Sequence, residues 1–143
     1  MFCTFFGHRD SPEKIKHLLK KSILYIIEKE GVRDFLVGNN GNFDLYAQCI
    51  LQEFKNDGID IRFNIILSRI DEKSLIKNQD ATLFPEELEK SIAKFRISKR
   101  NEWLIKKSSY IIAYVTRKYS NSYCLIETAS KKGLRIINIA DYV

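Results

Sequence analysis

Four short stretches carry the residues able to do chemistry in this chain. In VGNNGNFD, residues 37–44, Gly38 and Gly41 permit positive φ or a close approach to the main chain. Asn39 and Asn40 tolerate the left-handed region and offer amide donors and acceptors. Such a loop suits a phosphate or a ribose, and the plain alternative is a tight turn with an asparagine cap. It is not the Walker pattern, since no GK[ST] follows, and it does not match GxGxxG with an acidic residue about 20 positions on. In FFGHRD, Gly7 turns the chain at the sheet edge, Arg9 can fork onto a phosphate or carboxylate, and His8 can donate a hydrogen bond. The alternative pairs Arg9 with Asp10 or Asp44 at the surface and leaves His8 to pack. KRNEW sets Lys99 and Arg100 in the first turn of a short helix, where cations oppose the helix dipole and an anionic partner would offset the cost. Asn101 and Trp103 can contact a base or ribose there, Trp103 being equally a core residue. Ser120, Asn121 and Ser122 bring hydroxyl and amide groups to another helix entrance. Asp44 and Glu127 are the carboxylates available for catalysis, with Glu127 on a solvated or interface face unless a crevice reaches it.

The elements that must position these residues alternate between strand and helix. FCTFF is a short β-prone run ending at Gly7. DSPEKIKHLLKKSILYIIEKEG supplies Asp10 or Ser11 as a cap, a proline in the first helical turn, an apolar stripe from Ile15 to Ile27 and a stop at Gly31. DFLVG is a second strand, and Phe43, Ala47, Ile50, Leu51 and Phe54 form the stripe of the helix after it. IDIRFNIILS is a third strand. Residues 69–84 show no period and are expected to form a long surface loop, a possible lid. FPEELEKSIAKF opens a helix at Pro85, SKRNEWLIKKS forms another with Ser98 as its cap, and SYIIAYV is a fourth strand. A helix from about Ser122 to Gly133 and the strand LRIINIA complete the series. This order predicts a Rossmann-like α/β sandwich of three layers, with a mostly parallel sheet of about five strands and helices on both faces. Ligands in such folds bind at the carboxyl ends of the strands, where GHRD, GNNGN and TRKYSNS can converge.

The chain has 143 residues, 45% hydrophobic and 29% charged, with two prolines and no low-complexity segment, which is the make-up of one globular domain over 1–143. Its start lacks the pattern of a signal peptide and no apolar run approaches the ~20 residues of a membrane span, so a cytoplasmic protein without membrane partners is expected. Cys3, Cys49 and Cys124 form no CxxC pair, and no histidines stand at metal spacing. They are expected to be reduced packing residues, with no metal and no cofactor. The net charge of +6 is uneven: residues 94–143 hold 11 basic against 3 acidic side chains, whereas 1–56 hold 8 against 7. A local cationic field of this kind attracts nucleic acid or holds a phosphorylated ligand, the bland alternative being a solvated face.

Taken together, FFGHR at 5–9, VGNNGNFD at 37–44, KRNEWLIKKSSYIIAYV at 99–115 and SNSYCLIETASKKG at 120–133 resemble the SLOG superfamily. This Rossmann-like clan includes the Smf/DprA family and the LOG nucleotide hydrolases, and the similarity is to its short bacterial proteins that open on a strand followed by GHR. The resemblance implies a nucleotide pocket at the strand ends, lined by the second-strand glycine loop and by the turn before the last helix. It also implies self-association. Its members include hydrolases of nucleoside monophosphate N-glycosidic bonds, single-stranded DNA binders and sensors of ADP-ribose-like signals. The hydrolase turn PGGxGTxxE is replaced here by KYSNSYCLIE, with Ser120 and Asn121 in place of glycines and Glu127 displaced.

Three functions are therefore expected in order. The first is binding or sensing of a nucleotide-derived small molecule through Gly38 to Gly41, Ser120 to Ser122, and Arg9 or Arg100. The second is N-glycosidic hydrolysis through Glu127 or Asp44. The third is single-stranded nucleic-acid binding by the basic last third.

Overall fold

The computed structural model describes residues 1–68, 81–89 and 95–143. Among the described residues six strands form one parallel sheet: β1 (Phe2–Gly7), β2 (Asp34–Val37), β3 (Arg62–Ile66), β4 (Thr82–Leu83), β5 (Tyr110–Tyr114) and β6 (Arg135–Asn138), in the order β4-β3-β2-β1-β5-β6. All five pairings are parallel, and β1 is central, with Thr4 facing Leu36 on one side and Ile111 on the other. The Rossmann-like α/β class is as expected, with one strand more than anticipated. That extra strand, β4, occupies the end of the segment read as a loop. Residues 69–80 of the loop expected over 69–84, and with them the question of a lid, lie outside the described residues, as do 90–94 of the helix expected after Pro85; Glu86–Glu89 is helical (α3).

Alternation along the strands sends side chains to two separate cores. Cys3, Phe5, Phe35, Val37, Ile112 and Tyr114 pack against α1 (Lys16–Glu30) and α2 (Asn42–Asn56), which turn Leu19, Ile23, Ile26, Ala47, Leu51 and Phe54 inward. Phe6, Leu36, Ile66, Ile111 and Ala113 pack against α4 (Arg96–Lys107) and α5 (Asn121–Lys131), through Leu104, Ile105, Ile126 and Ala129. A sheet covered on both faces needs apolar residues at nearly every strand position, which is why YIIAY of β5 is buried throughout.

Three local expectations are corrected. Pro12 is extended and precedes a 3₁₀ turn (Glu13–Ile15), and neither Asp10 nor Ser11 caps the first helix: the Ser11 hydroxyl donates to the His8 carbonyl at 2.6 Å instead. Ser98 lies inside α4, which begins at Arg96, so Lys99 closes its first turn and Arg100 falls beyond it. Of the cysteines, Cys3 is buried, whereas Cys49 and Cys124 are exposed; all three are free. Among the described residues no helix is long and apolar enough to cross a membrane.

Asn138 joins the sheet's last two strands beyond their regular pairing. Its side-chain amide donates to the Val115 carbonyl at 3.1 Å and accepts from Val115 N at 3.0 Å, and its oxygen also accepts from Ala140 N at 3.2 Å. Substituting Asn138→Ala leaves the polar groups of Val115, a buried residue, without these partners. The expected loss is about 1–3 kcal/mol, read as a lower urea midpoint with an unchanged m value.

Candidate functional site

A cavity of about 320 Å³ opens at the carboxyl end of β1, where the sheet's order of strand addition reverses between β1 and β5. Its walls come from the β1 end (Phe5 to Asp10), the β2–α2 loop with the start of α2 (Gly38, Asn40, Asp44), α4 (Arg100, Asn101, Leu104) and the β5–α5 turn with the start of α5 (Arg117, Ser120, Asn121, Ser122, Leu125).

The β2–α2 loop is held from both directions. Asp44, in the first turn of α2, reaches back and accepts from Asn40 N at 2.9 Å, which suits a carboxylate to the positive end of the helix. Gln48 donates to the Gly38 carbonyl at 2.9 Å and to Asn39 Oδ1 at 3.4 Å. At Gly41, φ is +110° and a β-carbon would lie 2.6 Å from Arg9 Cα, so only glycine lets this loop meet the β1–α1 turn. There Asn42 N donates to the Arg9 carbonyl at 2.9 Å.

Gly38 makes room for charge. A β-carbon on it would stand 2.8 Å from Asp44 Oδ2 and 3.3 Å from Arg100 Cζ. Arg100 is 3% exposed, and of its guanidinium Nη2 donates to Asn101 Oδ1 at 3.4 Å while Nε has no hydrogen-bond partner among the described residues. Burial pushes the Asp44 carboxyl above its ordinary range, with the Arg100 charge and the Asn40 amide pulling the other way.

The rim is a second polar assembly. His8, also buried, donates its backbone N–H to the Tyr114 carbonyl at 3.3 Å and accepts at Nε2 from Thr116 N at 3.0 Å, which places the proton of the neutral ring on Nδ1. Burial, then the Arg117 charge, lower its pKa, and Asp10 opposes them. Arg117 in turn forks onto Asp10 at 3.0 and 3.2 Å, joining the β1 and β5 loops. Ser120 caps α5, accepting from Tyr123 N at 3.1 Å, and the Ser122 hydroxyl donates to the Gly7 carbonyl at 3.3 Å.

Gly7, His8, Arg9, Gly38, Asn40, Asp44, Arg100, Asn101, Ser120, Asn121 and Ser122 are thus brought to one cavity. Five sequence candidates do not line it: Trp103 packs against the core under α4, Lys99 pairs with Glu102 at 3.4 Å, and Asn39, Gly41 and Glu127 are also elsewhere. Asn39 is turned to Gln48, Gly41 is spent against the Arg9 backbone, and Glu127 is exposed on α5, one position past the buried Ile126. Asp10 and Arg117, which line it, were not among the candidates; Arg117 follows a buried strand just as Arg9 does, and that position was the available signal. Asp10 pairs with Arg117 rather than with Arg9. Among the described residues no group of three or more His, Cys, Asp or Glu is placed to hold a metal ion.

No family model and no curated protein matches the sequence. Among solved structures, DNA processing protein A (DprA) from Streptococcus pneumoniae matches with a TM-score of 0.66 at 15% identity, over 94% of this chain and 48% of that one. The Rossmann-like fold is shared with that protein. At this identity the likeness is one of fold, and the chain spans about half the length of that protein.

Because the folded-state pKa of His8 is lowered from 6.5, the unfolded chain takes up its proton first on acidification. The ring's contribution to stability is full above about pH 6.5 and is lost as pH falls from there through the folded value. Urea midpoints between pH 5 and 8 should show this decline in the natural protein. In His8→Gln, which keeps an acceptor for Thr116 but does not titrate, the decline should be smaller.

Proposed function

We propose that the cavity binds a nucleotide-derived anion, with its phosphate near Arg100 and the amides of the β2–α2 loop. The observation that carries this reading is the buried Arg100 guanidinium in the cavity wall, with a donor nitrogen left unpartnered. A buried guanidinium without its full set of partners in a cavity wall is a charge that an anionic group in the cavity would compensate. Arg9 adds a second cation at the mouth, whereas Arg117 is already paired with Asp10. The volume is at the low end of the roughly 300–1,000 Å³ of small-ligand sites, which fits a nucleoside monophosphate better than a dinucleotide.

Asp44 gives the reading a pH dependence. An anion beside Arg100 meets the Asp44 carboxylate as a like charge, and its already raised pKa rises further on binding. Affinity should therefore increase as pH falls toward the Asp44 pKa. Calorimetry with adenosine 5′-monophosphate and ribose 5-phosphate should show binding that takes up protons. Asp44→Asn should reduce that uptake, and Arg9→Ala should weaken binding by several-fold. The double variant Arg100→Gln/Asp44→Asn removes both buried charges together and should lose binding while remaining folded. Unaltered affinity in the double variant would sink the proposal.

Hydrolysis of an N-glycosidic bond is a second reading, favoured by a buried carboxyl with a raised pKa in the cavity. It rests on Asp44, since Glu127 is exposed outside the cavity. Release of free base by the natural protein, abolished in Asp44→Asn, is its expected signature. Binding of single-stranded nucleic acid draws on the basic last third and on the fold shared with a DNA processing protein. It predicts affinity that falls steeply with salt.

A further inference from the structure

Tyr119 is 89% exposed, more than any other large hydrophobic side chain among the described residues. It is also the one non-glycine residue among them with positive φ, at 65°. A bulky side chain adopts the left-handed region at a cost, and such strain persists only where the surroundings impose it. The surroundings here are specific. The residue before it but one, Arg117, is forked onto Asp10; the residue after it, Ser120, donates from its hydroxyl to the Arg117 carbonyl at 2.8 Å; and Thr116 N is held by His8. These bonds close a turn whose tip is Tyr119. Arg117, which is exposed, and Ser120, which is half-buried, line the same cavity as the buried Arg100; Tyr119 stands between them in sequence and is not itself among the lining residues. The Tyr123 ring stands behind, 6.2 Å away centroid to centroid and tilted by 57°.

We infer that Tyr119 is a stacking platform for the planar base of the ligand, so that the site selects a base-bearing nucleoside phosphate over a bare sugar phosphate. The inference rests on the reading of the cavity as an anion site. With the phosphate drawn to the buried Arg100, the base of a nucleoside monophosphate lies toward the turn whose Arg117 and Ser120 line the cavity and whose tip is Tyr119. A tyrosine held by its own backbone and buttressed by a second ring loses little freedom when it stacks. Every base has a π face, so the contact adds affinity without naming the base.

The test uses calorimetry on the full chain with adenosine 5′-monophosphate and ribose 5-phosphate as probes. The variants are Tyr119→Asn, which accepts the left-handed backbone, and Tyr119→Trp. The natural protein should bind the nucleotide more tightly than the sugar phosphate. Tyr119→Asn should weaken nucleotide binding about tenfold and leave sugar phosphate binding unchanged, and Tyr119→Trp should restore the preference. Thermal melts should show Tyr119→Asn to be no less stable than the natural protein. Equal weakening of both probes would mark Tyr119 as a structural part of the turn, and equal binding of both by the natural protein would remove the role altogether; either overturns stacking while the anion site stands. Failure of the natural protein to bind either probe overturns both.

Discussion

The rest of the structure depends on a reversal in the order of a parallel sheet. From β1 the chain adds strands outward through β2 and β3 to β4, then returns to the other side of β1 to add β5 and β6. Crossovers in such a sheet run over one face on one side of the reversal and over the opposite face on the other. Here α1 and α2 cover one face while α4 and α5 cover the other. The connections leaving β1 and β5 therefore part company at the sheet's rim, and the gap between them is the cavity. Its position is a property of the topology, and the side chains decide only what it is lined with.

What lines it is a set of polar groups that mostly satisfy one another. Loops that diverge must be held at their new separation, and three contacts do this: Arg117 to Asp10, His8 to Thr116, and Ser122 to the Gly7 carbonyl. Each joins the end of β1 to a residue more than a hundred positions away. Their hydrogen bonds are used in holding the walls. Arg100 is different, because its backbone sits on a rigid helix and part of its guanidinium is left over in a buried place. Burying a cation beside a carboxylate whose own ionisation is disfavoured is an arrangement that stability alone does not explain.

The sheet and the main helices were legible because their signals are periodic and repeated over many residues, as in the stripe from Phe43 to Phe54. The failures were local. A two-residue strand such as β4 carries no period, and its assignment depends on Ile65 and Ile66 lying alongside. Ser98 has the chemistry of a cap, but the cap position of α4 is Phe95, three residues earlier. At the site, glycines and cationic residues after apolar strands pointed to the right rim. Composition did not tell which way Asn39 turns, since that is set by Gln48, nine positions on. Nor did it reveal the partner of Asp10, which is distant in sequence and meets it only in the finished fold.

The central place of β1 also sets the order in which the molecule can assemble. Thr4 needs Ile111 for one flank of its ladder, a sequence separation of 107 residues. During synthesis, that flank of the middle strand has no partner until β5, more than a hundred residues later, has been made. Such long-range closure slows folding and lengthens the exposure of an apolar, hydrogen-bonding edge. Until β5 is made, the strand that ends at the centre of the sheet is one of its edges.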